Sequence, residues 1–168
     1  MTDSTLSSQM HIGRVIGIAL RPAVGAAMRL SDQAQAVAHG ALQGDIASSV
    51  RRGITLISSR QWQQTIDELG VDLPWHTRRA NVLVETDSLL HLISHTIAIG
   101  PVRVKVHNET KPCQVMDQLH PGLMHALVPQ GRGGVYGEIL TGGIIRVGDP
   151  VALADNQACE SPGTSTPS

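Results

Sequence analysis

Apolar and polar positions alternate in short runs along most of the chain, the period-2 signature of strands with one face buried. The clearest run is 102–106, where Val102, Val104 and Val106 alternate with Arg103 and Lys105. Gly100-Pro101 turns it back on a second apolar run over 96–99. The stretch 12–20 predicts a strand that Arg21-Pro22 ends, because the residue before a proline is pushed out of helical conformation. Residues 53–57 and 81–85 predict two more strands. Residues 135–140, 144–147 and 151–153 predict three short ones, with Gly142-Gly143 and Gly148-Asp149 as the turns between them.

Helical spacing is confined to a few places. Trp62, Ile66 and Leu69 share a face, Ser58 or Ser59 offers an N-cap, and Gly70 is a natural residue to follow the last turn, so the pattern predicts a helix over 60–69. Residues 113–128 repeat the spacing across a break at His120-Pro121-Gly122, and 88–93 has room for a single turn. Residues 22–45 are rich in Ala, Gly and Gln without a clean period and predict a long irregular segment, with a short strand over 34–39. Many close-set strands and few helices predict a β-rich α+β fold, a single closed or nearly closed β-barrel with a few short helices. No βαβ alternation, dinucleotide-binding GxGxxG or P-loop pattern is present. The domain is expected over 11–154, with a flexible N-terminus over 1–10 and a disordered, polar tail over 155–168.

Composition narrows the function. At 168 residues the chain is long enough for one well-buried core. Its 13 basic and 14 acidic side chains give a net charge of −1, so no general attraction draws it to nucleic acid or to an anionic membrane. With no Phe, one Tyr and two Trp it lacks aromatic platforms for stacking bases. Two cysteines, Cys113 and Cys159, make no disulfide framework, which fits a reduced, cytoplasmic setting. The apolar run 12–20 carries Arg14 and is too short to span a bilayer.

The chemistry-bearing residues cluster in a few motifs. Cys113 follows Lys111-Pro112; with Pro112 at the first helical position, the thiol lies in a helix's first turn, beside a cation, where its pKa is expected to fall. The alternative is a small buried hydrophobe, the commoner fate of a free cysteine. In Arg78-Arg79-Ala80-Asn81, Arg79 and Asn81 are two apart and would share a strand face, offering a guanidinium and an amide to an anionic ligand. Arg132, Gly133 and Gly134 lie in a glycine-rich turn able to cradle a phosphate, or to serve as a plain hairpin entry. Asp45 could orient a ligand amine or simply close a turn. The eight histidines show no zinc spacing backed by cysteines; most are expected at the surface or hydrogen-bonded.

In order along the chain, GRVIGIALRP, AHGALQGD, GITLIS, RRANVLVE, IGPVRVKV, KPC, GRGGVYGEIL and GGIIRVGDPV resemble the MOSC domain, the module named after the C-terminal part of molybdenum cofactor sulfurase. The likeness runs from Gly13 to about Leu153. It departs from the family pattern at Ile46-Ala47-Ser48 and at Glu85-Thr86-Asp87. The resemblance implies a barrel-like fold that handles the molybdenum cofactor (molybdopterin), with Cys113 as the residue that ligates molybdenum or carries sulfur as a persulfide. With that cofactor as the ligand, the residues singled out above, Asp45, Arg79, Asn81, Lys111, Arg132, Gly133 and Gly134, are the expected cofactor-binding residues. The resemblance also implies a separate partner, a cysteine desulfurase or a redox protein, and a possible role in reducing N-hydroxylated compounds. Pyridoxal phosphate, used by desulfurases fused to such modules, is not expected in this chain.

Overall fold

A computed structural model describes residues 10–154; the expectations for 1–9 and for the tail at 155–168, Cys159 included, lie outside the described residues. Ten strands form: β1 (His11–Leu20), β2 (Arg29–Ser31), β3 (Gln33–Ala36), β4 (Ile54–Ser58), β5 (Val82–Val84), β6 (Thr96–Ile99), β7 (Val102–Glu109), β8 (Val135–Thr141), β9 (Gly143–Arg146) and β10 (Pro150–Leu153). Seven of them close a barrel in the order β10-β6-β7-β8-β4-β5-β1, with β1 pairing back to β10; β2 extends the sheet beyond β1, and β3 pairs with β9 apart from it. The β-rich barrel expected from the alternation is the fold observed.

Three short helices accompany the strands: α1 (Ser59–Leu69), α2 (Gln114–Leu119) and α3 (Leu123–Leu127). Ser58 Oγ accepts from Gln61 N at 3.1 Å and caps α1, and Gly70 ends it at φ 68°. The break at His120-Pro121-Gly122 separates α2 from α3.

Two features differ from the pattern-based expectation. The irregular segment contains β2, which was not expected, besides β3, which overlaps the short strand expected over 34–39. Strands β4 and β5 are parallel, with α1 in the crossover between them, so one βαβ unit is present. VLV is apolar throughout and ITLIS is interrupted by Thr55 and closed by Ser58; all but Thr55 are buried, because both faces are covered. Leu56 and Val82 face the barrel core with Val15, Val104, Ile139 and Val151. Ile57 and Leu83 face the other way and pack under the helices with Trp62, Ile66, Met116, Leu123 and Leu127. Thr55 is two residues from Ile57, so it too points to the outer, helix-covered side of the wall. That side carries the site.

Candidate functional site: a cationic pocket with a thiol

A pocket of about 290 Å³ opens on the outer face of the barrel wall. It is built from the end of β1 (Arg21), the 45–48 loop, Arg52, Thr55 of β4, the entry to β5 (Arg78, Arg79, Asn81) and the segment from β7 into α2 (Thr110, Lys111, Cys113, Val115, Met116). Five cations, Arg21, Arg52, Arg78, Arg79 and Lys111, face one carboxylate, Asp45. On a chain of net charge −1, this grouping concentrates positive potential in one concavity and suits an anionic ligand.

Arg78 is the central cation, and the sequence did not single it out. A 3-10 turn, Trp75–Arg78, is stopped by Arg79 in left-handed conformation (φ 69°), which swings the chain into β5. That turn drives the Arg78 side chain inward, leaving it 7% exposed. Its Nε donates to Gly133 O at 3.0 Å, one Nη to Thr110 O at 3.2 Å, and the other contacts Met116 Sδ at 3.8 Å. No carboxylate pairs with it among the described residues. Burial pulls its pKa down to about 10, the negative charge of a Cys113 thiolate acts in the opposite direction, and Arg52 adds to the lowering. Arg78 therefore stays charged at neutral pH while buried without a counterion, an arrangement that an incoming anion relieves.

Two further polar atoms in the wall lack partners: Thr110 Oγ1 and Arg21 Nε are buried and unbonded. A buried polar atom left unbonded is costly, and a ligand reaching into the pocket could satisfy both. Arg52 stacks over Tyr136, its guanidinium carbon 4.4 Å from the ring centroid, which holds the head group at the wall.

Cys113 is exposed and lines this pocket, so the buried-hydrophobe alternative does not hold. Its backbone is extended (φ −127°, ψ 178°): it is the N-cap residue of α2, one position before the helix, and Pro112 lies outside rather than at the first helical position. Exposed Lys111 lines the pocket beside it.

Asp45 and Asn81 also line the pocket, but much of their bonding is internal. Gly44, at φ 88°, turns the chain so that Asp45 Oδ1 accepts from Arg21 N at 2.6 Å. Arg21 holds the loop again through its Nη2 to Ile46 O at 2.9 Å. Asn81 Oδ1 accepts from Thr55 N at 3.0 Å and Thr55 Oγ1 at 3.1 Å, and its Nδ2 donates to Ala19 O at 3.2 Å. The Asn81 amide thus ties β1, β4 and β5 together rather than standing free for a ligand. Arg79 departs from the extended backbone that the two-apart argument assumed, yet still lines the pocket, with one Nη 3.4 Å from Ala26 O.

Arg132, Gly133 and Gly134 do not line the pocket. Arg132 donates to Glu68 Oε2 at 2.8 Å and to Ala126 O at 3.1 Å, tying the turn to α1 and α3. That bond holds the Glu68 carboxyl below its usual range and raises Arg132. The glycines act one step back: Gly133 supplies the carbonyl that holds Arg78, and Gly134 (φ 92°) lets the turn pass against the Leu56 carbonyl. Arg21, Arg52 and Thr110 join Arg78 as residues that sequence reasoning missed. Each sits at an element end, where no periodicity marks it.

Burial raises Asp45 above its ordinary value of 3.8, outweighing the lowering by Arg21 and Asn81. The folded protein then holds that proton more tightly than the unfolded chain. Asp45's contribution to stability is fully present below about 3.8 and is lost as pH rises through its folded pKa. The same protonation removes the pocket's one negative charge. Sulfate affinity, followed by calorimetric titration, is expected to rise about three- to tenfold as pH falls through the Asp45 pKa, and to lose that slope in Asp45→Asn.

Among the described residues no group of three or more His, Cys, Asp or Glu is placed to hold a metal ion. His39 and His107 instead flank Glu138, at 3.1 and 3.2 Å, and hold its carboxyl below the usual range. No helix among the described residues is long and apolar enough to cross a membrane.

Fold and site together define a class: a small closed β-barrel whose outer wall carries an arginine-rich pocket with a free thiol. The family model for the MOSC domain matches residues 43–152, and the chain belongs to that family, which is associated with the molybdenum cofactor. Solved structures share the fold at low identity. The YuaD protein of Bacillus subtilis superposes with a TM-score of 0.70 at 19% identity, over 86% of this chain and 96% of that one. YiiM from Escherichia coli gives 0.66 at 13%, over 83% and 69% of the two chains. YiiM from Geobacillus stearothermophilus gives 0.62 at 17%, over 86% and 74%. No curated protein matches the sequence significantly.

Proposed function

We propose that the pocket binds the molybdenum cofactor and that Cys113 is the sulfur this chain presents to it. The observation that carries this reading is the buried Arg78 guanidinium, without a carboxylate partner, in the same pocket as an exposed thiol. The residues fit the group: Arg21, Arg52, Arg79 and Lys111 suit its phosphate, Thr110 Oγ1 and Asp45 its polar edge, and a thiolate is a soft ligand suited to a soft metal centre. At about 290 Å³ the pocket is near the lower end of small-molecule sites, so a cofactor held here keeps part of its surface open to a substrate or partner. When bound, such a cofactor supplies two-electron redox chemistry. The chain's own part is to neutralise the phosphate, orient the pterin and present one sulfur. A catalytic protein of this kind reduces N-hydroxylated compounds with electrons from a separate redox partner.

A second reading has its own support. Cys113 is exposed, so it can also accept sulfur from another protein and carry it as a persulfide to a metal cofactor. Metal content separates the two. Purified from a host that makes the cofactor, the wild type is expected to carry molybdenum by elemental analysis, with Cys113→Ala losing it by about tenfold or more. Metal-free wild type bearing an extra sulfur on the Cys113 peptide by mass spectrometry selects the carrier.

A further inference from the structure

We propose that the open edge of the sheet at β2 docks a second copy of this chain, the two β2 strands pairing antiparallel about a two-fold axis at Leu30. β2 is the last strand of its sheet, with β1 as its neighbour. Leu30 lies opposite Ala19. Ala19 turns both of its backbone groups the other way: its N–H donates to Asn81 O at 2.7 Å and its carbonyl accepts from Asn81 Nδ2 at 3.2 Å. Along an antiparallel pair, residues that exchange both backbone bonds alternate with residues that exchange none. Leu30 therefore points its own N–H and C=O away from β1, toward the open edge. One donor and one acceptor on the same residue match those of a second Leu30 across a two-fold axis.

The side chains fit the same symmetry. Leu30 is 57% exposed and lines a groove of about 340 Å³ with Trp75 and two more exposed aliphatics, Ile16 and Val147. Trp75 lies against Gly17, where a Cβ would overlap the indole, so the ring is fixed as one wall of the groove. Pairing Leu30 with Leu30 brings two such grooves together and covers apolar surface on both copies. Charge selects this register. It sets exposed Arg29 opposite Ser31 of the second copy, one position from exposed Asp32, and the contact repeats across the axis. A slip that pairs Leu30 with Met28 would oppose Arg29 to Arg29, and like charges directly opposite are destabilising. A slip the other way would pair Leu30 with Asp32, whose carbonyl already accepts from Val147 N at 3.0 Å. No residue of this groove lines the thiol pocket.

The test follows the full chain by sedimentation velocity over a concentration series, with circular dichroism to show that each variant folds. The wild type is expected to pass from monomer to dimer as concentration rises. Leu30→Pro removes the outward N–H and the leucine side chain, a change that an edge strand accepts when the lost N–H faces solvent; it is expected to weaken the dimer about tenfold or more. Arg29→Asp and Asp32→Arg each bring like charges together and are each expected to weaken it about three- to tenfold. The double variant Arg29→Asp/Asp32→Arg exchanges the pair and is expected to recover the wild-type constant. Cross-linking reads the register. Leu30→Cys, in a chain with Cys113 and Cys159 replaced by Ser, is expected to form a disulfide dimer on mild oxidation, because paired Cα atoms lie about 5.5 Å apart, within disulfide reach. Val24→Cys in the same background is expected not to, although Val24 is the more exposed residue. A wild type that stays monomeric throughout overturns the proposal. So does a dimer that keeps its constant in both single charge variants and cross-links no better through Leu30→Cys than through Val24→Cys. A monomer that binds phosphatidylserine vesicles, and loses that binding in Leu30→Pro, assigns the groove to a membrane and overturns it as well.

Discussion

Replacing Arg78 with methionine is expected to lower anion affinity about thirtyfold to a thousandfold, equivalent to about 2–4 kcal/mol. An arginine offers five N–H groups. Arg78 uses three contacts on Gly133 O, Thr110 O and Met116 Sδ, which leaves two N–H groups for a ligand. Charge-assisted bonds of this kind contribute about 1.5–3 kcal/mol each. Folding stability should respond less. Losing the guanidinium leaves two carbonyl oxygens without their donors, at about 1–3 kcal/mol apiece, but it also removes a buried cation that no carboxylate balances. The two effects oppose, so the variant should fold and bind poorly. Sulfate titration by calorimetry alongside thermal unfolding separates them. Wild-type affinity in a folded Arg78→Met protein would remove Arg78 from the binding site.

Gly134→Ala is expected to damage the fold severely. Gly134 sits at φ 92°, where a side chain is strained, and a Cβ there would overlap the Leu56 carbonyl oxygen and press on Ile57 Cγ2. Leu56 pairs with Val135 across β4 and β8, and Gly134 O accepts from Thr110 N at 2.8 Å. The barrel seam must open or the turn must lift, and lifting it moves Gly133 O away from Arg78. A cost of about 3–5 kcal/mol takes much of the stability of a domain this size and lowers Tm by about 10 °C or more. Gly70→Ala is the control. It has a similar φ of 68° but nothing within 4 Å of the added Cβ, so a loss of only about 1–2 kcal/mol is expected. Matching thermal shifts for the two variants would contradict the close-approach argument.

Much of the fold was legible because its information is local. Val102, Val104 and Val106 alternate with polar neighbours, and β7 lies where they predict it. Ser58 and Gly70 bracket α1 as caps should. The short strand β2 was harder, since the three residues Arg29-Leu30-Ser31 carry too little pattern to stand out, whereas β3 overlaps the short strand expected over 34–39. The parallel β4–β5 pair was also hidden: which strands become neighbours depends on how the chain returns around α1, not on either strand's sequence.

The site divides the same way. Cys113, Lys111, Arg79 and Asp45 were found because each stood in an unusual local setting, and all four line the pocket. Arg78 was passed over in favour of Arg79 because strand alternation was assumed across a residue that is in fact left-handed. Gly131-Arg132-Gly133-Gly134 has the composition of a phosphate loop, but Glu68 on α1 captures the arginine and close packing accounts for the glycines. Both differences are tertiary: a partner more than sixty positions away decides the role of Arg132. The convergence of five cations from separate stretches of chain onto one wall has no sequence signature at all.

On the proposed reading, one pocket joins an anion site to the Cys113 sulfur. Alkylation of Cys113 by iodoacetamide, followed peptide by peptide with and without saturating sulfate, tests it most directly, since the reagent is uncharged and its rate follows both access to the thiol and its ionisation, each of which an anion in the same pocket would lower. Protection of Cys113 that grows with sulfate occupancy, and is lost together with sulfate binding in Arg78→Met, is the predicted result. Alkylation at the same rate with the pocket filled and empty would contradict it.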